Sequence, residues 1–121
     1  MADKQVLYSN LETIEARNVR AKWVLGNADE GEWSPLPIMP DKSVHIFGTY
    51  GGATIVIQGS NEDGTPTAPV TLTDPQGNAL SFTVTDRLEQ ILENPARIRP
   101  VTSGGTGTSL TVIICAKGDH R

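Results

Sequence analysis

Residues 51–101 read GGATIVIQGSNEDGTPTAPVTLTDPQGNALSFTVTDRLEQILENPARIRPV, a text of short apolar alternations cut at intervals by Gly, Pro, Asn and Asp. Those punctuating residues supply positive φ, a preset φ or local side-chain hydrogen bonds, so the stretch spells strands and turns. Ala53, Ile55 and Ile57 share one face of a strand, and Leu80, Phe82 and Val84 share one face of another. Residues 43–47 and 53–58 read as a hairpin through the glycine turn 48–52. Residues 70–73 and 79–84 read as a second, through Asp74-Pro75-Gln76-Gly77-Asn78. Thr85 or Asp86 then serves as N-cap for a short helical turn over 87–92, which puts Leu88, Ile91 and Leu92 on one side before Asn94-Pro95 stops it. Arg97 to Val101 is a strand, and Pro100 inside it points to an edge or a bulge, because proline lacks the ladder donor.

Outward from that stretch the pattern continues. Val19, Ala21, Trp23 and Leu25 alternate with Arg20 and Lys22, which is the spacing of a half-buried strand with Trp23 as a core anchor. The segment from Trp33 to Pro40 carries prolines at 35, 37 and 40 and therefore reads as a rim or edge crossing, with Trp33, Leu36, Ile38 and Met39 as its apolar contacts. Val44 and Ile46 face opposite to His45 and Phe47. Ser109 to Ala116 is the most strongly β-patterned run of the chain. Residues 1–17 read as either an extended N-terminal arm or a further core strand, with Val6, Leu7 and Tyr8 as its apolar part. Together these elements predict a single all-β domain over residues 1–121, a small antiparallel β-sandwich or barrel of about eight strands with one short helical turn near 87–92.

Composition agrees and narrows the function classes. With 121 residues, 12 Gly and 8 Pro, the chain suits one core built from many short elements. A formal charge of -4 opposes non-specific attraction to nucleic acid, and the cluster Arg17, Arg20 and Lys22 is small enough to be a solvated strand face. The single cysteine, Cys115, precludes an internal disulfide and sits in an apolar strand pattern. No run reaches the ~20 apolar residues needed to span a bilayer. His45 and His120, the only histidines, lack metal-ligand spacing. Gly104-Gly105-Thr106-Gly107 lacks the lysine and following helix of a phosphate loop, and Glu62, Asp63, Asp74 and Asp86 fit turn and cap chemistry. The residues therefore predict a non-enzyme, with no catalytic residue, no metal and no cofactor, and with neither nucleic acid nor membrane as partner.

Three segments, ATIVIQGSNEDG (53–64), VTLTDPQGNALSFT (70–83) and ENPARIRPVTSGGTGTSLTVIICAK (93–117), follow one another in a succession that resembles small virion structural proteins of tailed bacteriophages. The resemblance runs from about Val44 to Lys117 and consists of strands and turns; Thr65-Pro66-Thr67-Ala68-Pro69 departs from it, where related sequences place a tryptophan. It implies a small antiparallel β-sandwich, jelly-roll-like, that serves as a head decoration or cement protein, is made in the bacterial host cytoplasm and sits on the virion capsid surface. Its implied partners are the major capsid protein and further copies of itself, as a dimer or trimer. A cement protein needs apolar contact area and multivalency, and the residues expected to supply capsid or subunit contacts are Val6, Leu7, Tyr8, Trp33, Leu36, Ile38 and Met39. A phage tail or baseplate component and a carbohydrate-binding β-sandwich are the alternatives. The latter would draw its stacking platform from only two Trp, two Tyr and two Phe.

Overall fold

The computed structural model describes residues 3–9, 18–35, 41–84 and 86–117. They form the strands β1 (Asp3–Lys4), β2 (Leu7–Ser9), β3 (Asn18–Leu25), β4 (Glu30–Gly31), β5 (Ser34–Pro35), β6 (Asp41–Thr49), β7 (Thr54–Ser60), β8 (Val70–Thr71), β9 (Ser81–Phe82), β10 (Arg87–Ile91), β11 (Arg97–Ser103) and β12 (Ser109–Lys117). Two sheets result. One runs β10-β6-β12-β3-β2; the other runs β1-β4-β11-β7-β8, with β5 also on β11 and β9 also on β7. All pairings are antiparallel except the two-residue contact of β1 with β4. The domain is thus the expected all-β sandwich. It has more strands than the expected eight because two-residue ladders at the sheet margins carry no alternation to signal them.

Alternation places the core. Trp23, Val112 and Ile46 lie in one register row across the five-stranded sheet, and Ala21, Ile114 and Val44 in the next. All six are fully buried, as are Ile55, Ile57 and Ile98 of the opposing sheet and Leu80 beside them. A buried aliphatic or aromatic side chain is worth about 1.5–3 kcal/mol relative to exposure, so these rows supply the main drive for the two sheets to pack.

Three sequence expectations are corrected. First, β6 and β7 do not form a hairpin, because they lie in different sheets. The glycine turn between them is a corner that crosses the sandwich: a Cβ on Gly48 (φ 127) would strike the Ser109 carbonyl, and one on Gly51 (φ 60) the Thr106 carbonyl. The corner is tied to the loop between β11 and β12, where Thr108 Oγ1 donates to the Tyr50 carbonyl at 2.7 Å and the Thr106 N–H to the Gly51 carbonyl at 2.9 Å. Second, residues 87–91 are a strand and not a helical turn, and every residue of β10 pairs with β6. A six-residue helix would carry the nucleation penalty for very few hydrogen bonds, whereas the free edge of β6 offers a ladder at once. Ile91 is buried, but Leu88 and Leu92 are exposed, so the helical spacing of these three is coincidental.

Third, β11 is internal to its sheet despite Pro100. The N–H and carbonyl of Ile57, which stands opposite Pro100, are both engaged on the far side, with Leu80 and Leu72. Ile57 and Pro100 are therefore a pair without mutual hydrogen bonds, and the proline nitrogen points away from β7. It meets the break between β4 and β5, where Gly31 packs so closely that a Cβ there would lie 2.7 Å from Pro100 Cδ. No ladder donor is lost. The hairpin expected at 70–84 does form, through a Thr73–Ala79 bridge and an Asp74 turn, with both limbs laid on β7; Val84 leaves the buried face of Leu80 and Phe82 and is exposed.

Candidate interaction surface

Of the stretch 1–17, residues 3–9 run along the chain's own sheets. β1 joins β4 in one sheet and β2 joins β3 in the other, so the connection passes over the open side of the sandwich. Val6, one of the expected contact residues, plugs that opening and belongs to the core, 7% exposed. Its N–H donates to Glu32 Oε1 at 3.2 Å, the Glu32 N–H donates to the Lys4 carbonyl at 2.7 Å, and Lys4 pairs with Asp29 at 3.7 Å. Trp23 Nε1 donates to the Glu32 carbonyl from below at 2.9 Å, fixing the same residue to the core.

Tyr8 and Leu7 are half-exposed, at 50% and 55%. The Tyr8 hydroxyl lies 2.8 Å from Ser34 Oγ, which brings the N-terminal segment and the start of the proline-rich segment together. Trp33 lies half-buried under the Arg99 guanidinium, 4.5 Å from its ring centroid, and Arg99 is held in turn by Gln58 at 3.1 Å and Glu30 at 3.5 Å. Such a cation–π contact makes Trp33 a structural cover on the seven-stranded sheet. Leu36, Ile38 and Met39 lie outside the described residues.

The surface that sequence reasoning missed is the outer face of the five-stranded sheet. Strand register aligns Leu7, Lys22, Ile113, His45 and Leu88 in one row across all five strands, and Val24, Thr111 and Phe47 in the next. The His45 and Phe47 rings pack at 4.8 Å, while Val24, Leu7 and Leu88 stand exposed. One signal for it was present: the run Ser109–Lys117 carries Ile113 and Cys115 on the face opposite Val112 and Ile114, and a strand apolar on both sides implies a second surface to be covered. Arg20 and Lys22 give the β3 side of this face its positive charge, so it can take apolar and acidic surface.

Glu62, Asp74 and Glu93 are engaged in holding loops. Glu62 accepts from the Ala68 and Thr67 N–H groups and from the Thr67 and Ser60 hydroxyls. Led by the Ala68 bond, these donors hold its pKa down to about 2. Burial works against ionisation of Glu93, but the Thr73 hydroxyl and N–H outweigh it and lower its pKa. Both acids line an open groove of about 720 Å³ beside Val70, Leu72 and Pro95, where they fasten its walls. Among the described residues no group of three His, Cys, Asp or Glu side chains gathers as a metal site, and no helix is long and apolar enough to cross a membrane.

No protein-family model matches the chain, and no curated protein matches it. Among solved structures it is similar in fold to the SPBc2 prophage-derived protein YomS, with a TM-score of 0.59 and 17% identity over 87% of this chain and 98% of that one. Weaker similarities are to a cupin domain from Bordetella pertussis Tohama I (TM-score 0.46, 13% identity, 98% of this chain and 99% of that one) and to an adhesin domain of Lys-gingipain from Porphyromonas gingivalis W83 (0.40, 11%, 95% and 75%).

Proposed function

We propose that the chain is a non-enzymatic structural protein of a tailed-phage particle, and specifically a decoration protein that binds the outer capsid surface and ties neighbouring capsid subunits together. The observation that carries this reading is the likeness to a prophage-derived protein that the shared fold covers almost end to end, 98% of its length. The form of the domain supports it: Glu62 and Glu93 close loops, and the outside of one sheet presents Leu7, Val24, Ile113 and Leu88 with Lys22 and His45 among them. Contact with a capsid would use the β2–β3 end of that face, Leu7 and Val24 beside Arg20 and Lys22.

The test is location and effect on particles. Antibody labelling of intact virions is expected to mark the head, and purified protein added back to particles lacking it is expected to raise their resistance to heat-induced loss of DNA. Labelling confined to the tail would replace this reading with a tail or baseplate component. Absence from particles would overturn both.

A further inference from the structure

We propose that two copies of this chain pair edge to edge through β10, Leu88 facing Leu88 across a two-fold axis, to give one continuous ten-stranded sheet. The inference concerns the purified chain alone and does not rest on the particle reading.

β10 is an outer strand of the five-stranded sheet. Its backbone directions follow from its two ends. The Leu92 N–H donates to the Thr73 carbonyl at 2.9 Å, away from β6, and the Gly48 N–H of β6 reaches toward β10 to Asp86 Oδ1 at 3.3 Å. By alternation, Arg87, Glu89 and Ile91 turn their backbone groups to β6, while Leu88 and Gln90 turn theirs outward. No partner for these outward groups occurs among the described residues.

An open edge of this kind is normally guarded by lysine, proline, a bulge or extreme shortness. The other outer strands have such guards: β1 and β8 are two residues long, β2 is three, and β5 ends in Pro35. The sequence Arg87-Leu88-Glu89-Gln90-Ile91 has no lysine, proline or bulge; its charged residues, Arg87 and Glu89, are of opposite sign, so an antiparallel second copy can be matched rather than repelled, and Leu88, 68% exposed, is flanked by exposed Val84 and Leu92.

The charges select the register. Antiparallel pairing of two β10 edges must oppose outward residues to outward residues, so Leu88 or Gln90 lies on the axis, or the axis passes through Glu89 with Leu88 opposite Gln90. An axis at Glu89 sets two carboxylates against each other, which is unfavourable. An axis at Gln90 sets Leu88 against Leu92, whose N–H is already bonded to Thr73. An axis at Leu88 joins the two leucines and sets Arg87 of each copy opposite Glu89 of the other. Arg87 and Glu89 already lie 3.3 Å apart within one copy, so pairing closes a ring of four alternating charges. Complementary charge and an apolar pair at the axis therefore coincide in one register only.

Sedimentation equilibrium of the full chain tests this, with circular dichroism to establish that each variant is folded. The wild type is expected to dimerise, and Leu88→Lys to weaken the dimer by at least about 100-fold. R87E and E89R are each expected to be monomeric, because each places like charges across the axis, and an equimolar mixture of the two is expected to form a heterodimer. A wild-type monomer at about 1 mM, a trimer, a dimer indifferent to Leu88→Lys, or folded R87E and E89R that do not associate on mixing would each overturn the proposal.

Discussion

Thr102 is fully buried on β11 and ties both ends of the loop 26–29 to that strand through one hydroxyl. Its Oγ1 accepts the Asp29 N–H at 2.8 Å and donates to the Gly26 carbonyl at 2.8 Å, while its own N–H reaches the Asp29 carbonyl at 2.8 Å. The loop 26–29 is therefore held against the seven-stranded sheet by polar bonds, buried at Asp29 and half-buried at Gly26. Thr102→Val keeps the shape and deletes the hydroxyl, which strands a buried N–H and a carbonyl. At about 1–3 kcal/mol for the buried Asp29 N–H and about 1 kcal/mol for the half-buried Gly26 carbonyl, the change costs about 2–4 kcal/mol together, a large share of the 5–15 kcal/mol that domains possess. Thr102→Ser keeps both bonds and removes one methyl, at about 1 kcal/mol. Urea unfolding at one fixed protein concentration should place the Val variant about 1–2 M below wild type in midpoint, with the Ser variant between them. A Val variant as stable as wild type, or more stable than Ser, would show that the site is held by packing and refute the hydrogen-bond argument.

Two further outcomes follow from named contacts. The Glu62 carboxyl ionises at about 2 in the fold against 4.5 when free, so the stability it lends to the loop is complete above about 4.5 and is lost as pH falls toward 2; the Thr67 and Ala68 amide resonances should titrate with that low midpoint, and the stability gap between wild type and Glu62→Gln should close over the same window. Gly31→Ala forces a Cβ to within 2.9 Å of Pro100 Cγ and the Pro100 carbonyl and should destabilise by about 1–3 kcal/mol, whereas Pro100→Ala alone should cost under about 1 kcal/mol; the double variant should be less unstable than the sum, and strict additivity would mean the two residues do not touch.

The faces of the strands were legible in the sequence and their partners were not, for one physical reason. Alternation is a property of a single strand, so Ala21, Trp23 and Leu25, and Ala53, Ile55 and Ile57, could be put on one core face without knowing what they meet, and all are buried. Sheet membership depends on two strands and on the turn between them. Glycines at 48, 51 and 52 permit a tight hairpin as readily as a corner, and the corner is chosen by bonds to Thr106 and Thr108, more than fifty residues away. The helical reading of 87–92 failed in the same way, since its apolar spacing fits a helix and only the vacant edge of β6 decides for a strand. Among the expected contact residues, Leu7 and Tyr8 are at the surface, Val6 fills the core and Trp33 is covered by Arg99, because apolar character alone does not say which side of a strand faces out.

Pairing through β10 would also set the reach of a decoration protein. It would put the two β2 strands, with Leu7 and Tyr8, at opposite ends of a ten-stranded sheet, nine strand spacings apart. At about 4.8 Å per spacing the ends lie about 43 Å apart along the sheet, and a twist of about 20–25° per strand turns them to face different directions. Such an object cannot lie flat on one subunit, but it can bridge two that meet at an angle. Each end then binds weakly while the pair gains by effective concentration, so the β10 edge governs particle affinity without touching the particle. Leu88→Lys, monomeric and folded, should therefore lose about 10²–10⁴ in affinity for capsids, with its release from them fast, while Leu7→Ala weakens both ends and leaves the dimer intact. Capsid binding by a Leu88→Lys monomer as tight as that of wild type would mean that one copy supplies the whole contact, and the bridging argument would fall.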